Sequence, residues 1–153
     1  MSRRKQRDID LFLVDALVAI EKIRIYVRDF SDGYALKCSG INWDATIRQL
    51  EIVGESLNNL LEDDYFSSLA PDYFRKVVNF RNEMAHGYFG IDSSEVWNVV
   101  TRKLPVLEND LLEIVQNSID LSEALAAEIS EYRKLQNVDI VKYLELVKTK
   151  AAS

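Results

Sequence analysis

Five glycines and two prolines in 153 residues leave this chain few places to break a helix, and that scarcity constrains its fold more than any other feature. Glycine loosens a helix and proline interrupts it, so a chain that avoids both keeps a helical period wherever one begins. Ile9, Leu13, Ala16, Ile20, Ile23, Val27 and Phe30 form one apolar stripe, broadened by Phe12 and Tyr26. The stripe predicts a first helix over residues 8–30. Ser31-Asp32-Gly33 marks a break, and a short turn through Leu36 leads to Ser39-Gly40. A second helix is expected over residues 42–61, with Asn42 as its N-cap. Its stripe is Trp43, Ile47, Leu50, Gly54, Leu57 and Leu61. Glycine inside a helix costs about 1 kcal/mol relative to alanine, so Gly54 points to close approach of another helix. Glu51 and Glu55 stack four apart beside it, either as the polar edge of the helix or as an acid–base pair.

Residues 62–70 read as a loop, and Pro71 suits the first turn of a third helix that ends near His86-Gly87, glycine being the preferred residue after a helix end. Asp92-Ser93-Ser94-Glu95 has the spacing of a capping box and opens a fourth helix. Val96, Val100, Leu107, Leu111 and Ile114 keep its register, with Pro105 expected to kink it near Thr101, whose carbonyl loses its donor. The remainder is helical by pattern to about residue 150, with a break at Asn137. The fold class is therefore all-α: an up-and-down bundle of four long helices over residues 1–117, with a C-terminal helical extension over 118–153 packed on the same domain. Leu121, Leu125, Ile129 and Tyr132 give the extension an apolar stripe that needs a cover.

Composition narrows the function classes. Hydrophobic residues at 48% and charged residues at 29% are globular values. No apolar run approaches the roughly 20 residues that span a bilayer. The basic start, Met-Ser-Arg-Arg-Lys, lacks a continuous apolar core and cleavage site, so a cytoplasmic protein with no membrane partner is expected. A single cysteine, Cys38, excludes an internal disulfide. With one histidine and one cysteine no zinc cluster of the usual donors can form, and no metal or cofactor is expected. A net charge of −6 argues against general nucleic-acid binding but not against a local basic site.

The chemistry concentrates in residues 80–90, Phe-Arg-Asn-Glu-Met-Ala-His-Gly-Tyr-Phe-Gly, which hold the only histidine. Arginine binds phosphate through a planar fork of donors, and histidine both accepts and donates protons near neutrality. Together Arg81 and His86 are the minimum kit for cleaving a phosphodiester without a metal. At roughly 100° per residue, Phe74, Val77, Val78, Arg81, Met84, Ala85 and Tyr88 share one stripe, which sets Arg81 in an apolar face where a charge needs a partner. An anion or a second subunit is the expected partner. Asn82 and His86, four apart, lie one above the other on the flank of that stripe.

These landmarks resemble the HepT-like branch of the HEPN superfamily across residues 8–116. The resemblance rests on Ile47-Arg48-Gln49-Leu50-Glu51-Ile52-Val53-Gly54-Glu55, on Arg81-Asn82 followed by His86 and Gly87-Tyr88, on Phe89-Gly90-Ile91-Asp92, and on Val96-Trp97. It implies a HEPN-like bundle and a homodimeric, metal-independent endoribonuclease toxin with RNA, transfer RNA in particular, as substrate. It further implies a cognate MntA-type minimal nucleotidyltransferase as antitoxin, which transfers AMP to Tyr88. Arg81, Asn82 and His86 are then the catalytic set. Two other readings stand beside it: a non-catalytic helical module that partners a nucleotidyltransferase, and a structural bundle with an Arg-Asn-His network.

Overall fold

The computed structural model describes residues 3–86 and 90–153. One helix organises it. Helix α1 (Arg3–Val27) packs along α3 (Gly40–Leu61) on one side and meets α7 (Leu104–Ser118), α8 (Ser122–Lys134) and α9 (Val138–Ala152) on the others. Ile9, Leu13, Ala16, Ile20 and Ile23 are buried as the period required, and so are Val14, Leu17, Val18 and Ala19. The wider burial has a simple cause: the C-terminal helices cover a second face of α1. Leu121, Leu125 and Ile129 are buried, and the Lys22 ammonium sits 5.5 Å above the Tyr132 ring.

Local departures from the expected elements each have a physical reason. Residues 31–39 hold a short helix, α2 (Gly33–Cys38), because the Asp32 carboxylate caps it by accepting from the Ala35 amide. Asn42 is not the N-cap of α3. That helix starts at Gly40 after Ser39, and the Asn42 amide instead donates to the Tyr26 carbonyl at 2.9 Å. Residues 62–70 are not a loop throughout. Asp63 caps helix α4 (Asp64–Leu69), which drives Phe66 fully into the core, 6.2 Å from the Phe74 ring. After Pro71 the first turn is tight, with Phe74 N–H donating to Pro71 O and Arg75 N–H to Asp72 O, so α5 (Phe74–His86) begins three residues later than expected.

Asp92 caps α6 (Ser93–Asn98), its carboxylate accepting from the Ser94 amide. Ahead of Pro105 the chain widens into a π-helical turn, Val99–Lys103, closed by the Leu104 N–H on the Val99 carbonyl. A proline has no N–H to give the carbonyl four residues back, and one wide turn absorbs the mismatch. Asn137 breaks α8 from α9 and caps the latter through the Ile140 amide. Among the described residues no helix is long and apolar enough to cross a membrane.

A polar contact fastens the extension. The Tyr143 hydroxyl on α9 donates to Glu108 on α7 at 2.7 Å, while Arg24 on α1 holds the other Glu108 oxygen at 2.8 Å and also pairs with Glu21. Burial and the adjacent Glu108 carboxylate push the Tyr143 phenol well above its ordinary range. A phenol held neutral in the fold stabilises it up to the unfolded pKa near 10. Above that pH the unfolded chain has lost the proton and the native chain has kept it, so stability falls by about 1.4 kcal/mol per pH unit. Tyr143→Phe should remove one proton's worth of that alkaline slope. Urea midpoints measured between pH 9 and 11 check it, and an unchanged slope would refute the coupling.

Candidate active site

Helix α5 carries the sequence-predicted chemistry, and its own bundle covers it only partly. Phe74 and Met84 are its buried residues, while Val77, Val78 and Phe80 are half-buried. Its packing partner is chiefly α3, and the contact is closest where Arg81 crosses Gly54. A Cβ built on Gly54 would lie 2.3 Å from the Arg81 Cβ and 2.6 Å from its Cγ. No side chain fits there, which accounts for a glycine inside α3 despite its cost to the helix.

The Arg81 stem therefore lies flat on the α3 backbone and its guanidinium reaches past it. Nη2 donates to Glu55 Oε1 at 2.9 Å, and Nη1 donates to Asn82 Oδ1 at 2.9 Å. Nε is buried without an acceptor among the described residues. The chain itself supplies an anion for this charge: Glu55, one residue beyond the glycine that admits Arg81, faces it. Glu51 instead pairs with Arg48 at 3.3 Å, so each of the two stacked glutamates faces its own arginine. The Arg81 and Glu55 side chains are 32% and 48% exposed, and an ion pair at such a surface contributes at most about 1 kcal/mol. It orients the fork, and a phosphate can take Glu55's place.

Asn82 and His86 are exposed one turn apart. The structure joins Arg81 to Asn82, and among the described residues no hydrogen bond joins either to His86. With Oδ1 held by Arg81, the Asn82 side chain keeps amide donors for another group. Tyr88 and Gly87 lie outside the described residues. Just beyond them, Lys37 on α2 donates to the Ile91 carbonyl at 3.1 Å, and a Cβ on Gly33 would meet the Ser93 carbonyl at 2.1 Å. Helix α2 is thus pressed against the start of α6. Sequence reasoning missed Glu55 as Arg81's partner, although a Gly-Glu step facing an arginine stranded in an apolar stripe was a usable signal. No group of three or more His, Cys, Asp or Glu side chains able to hold a metal converges among the described residues.

A small helical bundle with an Arg-Asn edge and an exposed histidine one turn on is the class that fold and site define. Residues 16–114 match the family model described as ribonuclease HepT-like. A Thermococcus cleftensis protein named "Probable ribonuclease HepT" is 33% identical over 109 residues, covering 69% of this chain and 92% of the relative. Two Methanocaldococcus jannaschii proteins, each bearing the name "Putative RNase", are 31% and 29% identical, covering 71% and 72% of this chain and 86% and 98% of their own lengths. No solved structure matches. The chain belongs to the HepT-like ribonuclease family.

Gly54→Ala tests the close approach. Alanine favours the helix by about 1 kcal/mol, yet the added Cβ meets the fixed base of a side chain, not its flexible end. Overpacking of this kind costs about 1–3 kcal/mol, so after the helix gain a net loss of about 1 kcal/mol is expected in chemical denaturation. A stabilised Gly54→Ala protein would contradict the packing.

Proposed function

We propose that the protein is a metal-independent endoribonuclease toxin that cuts RNA, transfer RNA in particular, by transesterification. The 2′-hydroxyl attacks the neighbouring phosphorus as its proton passes to an imidazole. The bond from phosphorus to O5′ breaks as that oxygen takes a proton, leaving a 2′,3′-cyclic phosphate and a 5′-hydroxyl. His86 moves the protons, Arg81 stabilises charge developing on the phosphoryl oxygens, and Asn82 donates to one of those oxygens or orients His86. The observation that carries this reading is the prepared guanidinium: Arg81 is laid over Gly54 and aimed by Glu55 and Asn82 on the helix that bears His86.

One imidazole per chain supplies a base or an acid at a given moment, while the step needs both. A homodimer that brings two copies of α5 together completes the pair, and the half-covered faces of α5 leave room for it. We further propose that a cognate MntA-type nucleotidyltransferase silences the enzyme by transferring AMP to Tyr88, two residues beyond His86. The added phosphate would oppose the RNA backbone beside Arg81 by charge and bulk. The division at residue 117 belongs to this proposal too: residues 1–117 carry the nuclease and 118–153 the packed extension, in a cytoplasmic protein.

Purified protein incubated with transfer RNA in excess EDTA should give cyclic-phosphate ends, and His86→Ala should reduce cleavage at least about 100-fold with thermal melting unchanged. Cleavage that survives the substitution, or that requires magnesium, contradicts the mechanism. Tyr88→Phe should keep cleavage and escape the nucleotidyltransferase. Intact mass after co-expression reads this out: an AMP-sized addition that persists on the Phe variant places the modification elsewhere.

A further inference from the structure

Between α5 and the wall formed by α6, the π turn and α7 runs a groove of about 600 Å³, outside the Arg81 contact with α3. Its lining is partly apolar and aromatic: Phe80 is half-buried, Val99 and Leu104 are buried, and Val106 is exposed. Three exposed cations, Lys76, Arg102 and Lys103, line it, and among the described residues none has an ion-pair partner. Arg102 and Lys103 both come from the π turn that Pro105 requires. Two acceptors, Glu83 and Glu95, line it too. In sequence they stand nearest the α5–α6 connection, whereas the cations stand farther from it on both sides.

Resting on the ribonuclease reading above, we propose that this groove is a nucleotide subsite beside the scissile phosphate. It would take one unpaired base of single-stranded RNA on Phe80 while Lys76, Arg102 and Lys103 hold the phosphate flanking that base. An aromatic floor with a cationic rim is the combination that single-stranded nucleic acid requires, because every base has a face to stack and every linkage a charge to meet. The carboxylates assign the polarity. Glu83 and Glu95 repel phosphate and accept from the amino groups that bases carry, so the base lies toward them and the backbone toward the cations.

The groove is also continuous with the proposed reacting group. Arg75, Asn79, Asn82 and His86 follow at intervals of four, three and four on α5, and all four are exposed. They form one polar edge, with Asn79 also lining the groove. Asn79 precedes His86 by seven residues, about 10 Å along the helix axis at 1.5 Å per residue, a reach of one to two nucleotides.

Binding separates this inference from catalysis. In a His86→Ala background, a labelled single-stranded oligoribonucleotide of roughly 12 nucleotides is titrated by fluorescence anisotropy at several salt concentrations. Arg102→Ala with Lys103→Ala should weaken binding about tenfold and lower the salt slope by about 0.7, the worth of one lost phosphate contact on a single strand. Phe80→Leu should weaken binding several-fold and leave the slope unchanged, as loss of stacking does. Lys134→Ala with Lys148→Ala, an equal charge loss far along the chain, should keep affinity within about twofold. Equal losses from the two double variants would show that only overall charge matters and would overturn the subsite. Unchanged RNA affinity with a halved mass in light scattering of the groove variants would make the groove an interface between copies, and would overturn it as well. If unmodified protein cleaves no RNA while binding follows the groove residues, the ribonuclease reading falls and the subsite stands.

Discussion

The crossing of α5 over α3 at Gly54 is the contact on which the site depends. With no Cβ in the way, the base of the Arg81 side chain rests against α3 and its guanidinium extends to Glu55. A larger residue at position 54 would push α5 outward and carry Arg81, Asn82 and His86 with it, because all three ride on one helix. Glycine weakens α3 locally, and the protein gains a fixed arginine in exchange. The geometry also explains how a charge can sit within an apolar stripe: its stem is covered, while its head reaches a carboxylate and a side-chain amide at the surface.

The rest of the bundle keeps that crossing rigid from behind. Helix α1 lies at the centre, with α3 on one face and the C-terminal helices on another. The Glu108 carboxylate ties three helices together by accepting from Arg24 and Tyr143 at once. Tyr73, just before α5, donates to Asp110 on α7 and so holds the start of α5 against the bundle. Burial and that carboxylate raise the Tyr73 phenol above its ordinary range, so at neutral pH it remains a donor. The opposite end of α5, where His86 stands, is exposed. One end is anchored and the other presents the histidine.

Much of the architecture was legible because it rests on period and punctuation. The stripe from Ile9 to Ile23, the cap at Asp92, the disturbance ahead of Pro105 and the break at Asn137 all follow from residues that act locally. The errors arose where tertiary contacts decided. Phe66 made a helix of an expected loop by anchoring it in the core, and the Tyr26 carbonyl claimed the Asn42 side chain that a cap would have used. Within the site, the sequence placed Arg81, Asn82 and His86 on one helix and read Gly54 as a close approach. It did not join the two facts, since no local rule says which side chain crosses a given glycine. The groove beside α5 was equally invisible, for no local rule says that two consecutive helical segments leave a gap between them, and two of its cations stand in a π turn where a simple kink was expected.

The proposed chemistry asks one kind of side chain to act as both base and acid, through two copies of His86 with Arg81 between them and the phosphate charge. The pH dependence of single-turnover RNA cleavage in EDTA tests that claim most directly. A base and an acid that must be in opposite protonation states give a bell, with a rising and a descending limb. A rate that climbs with pH through the whole range, without a descending limb, would mean that no general acid takes part and would contradict the account.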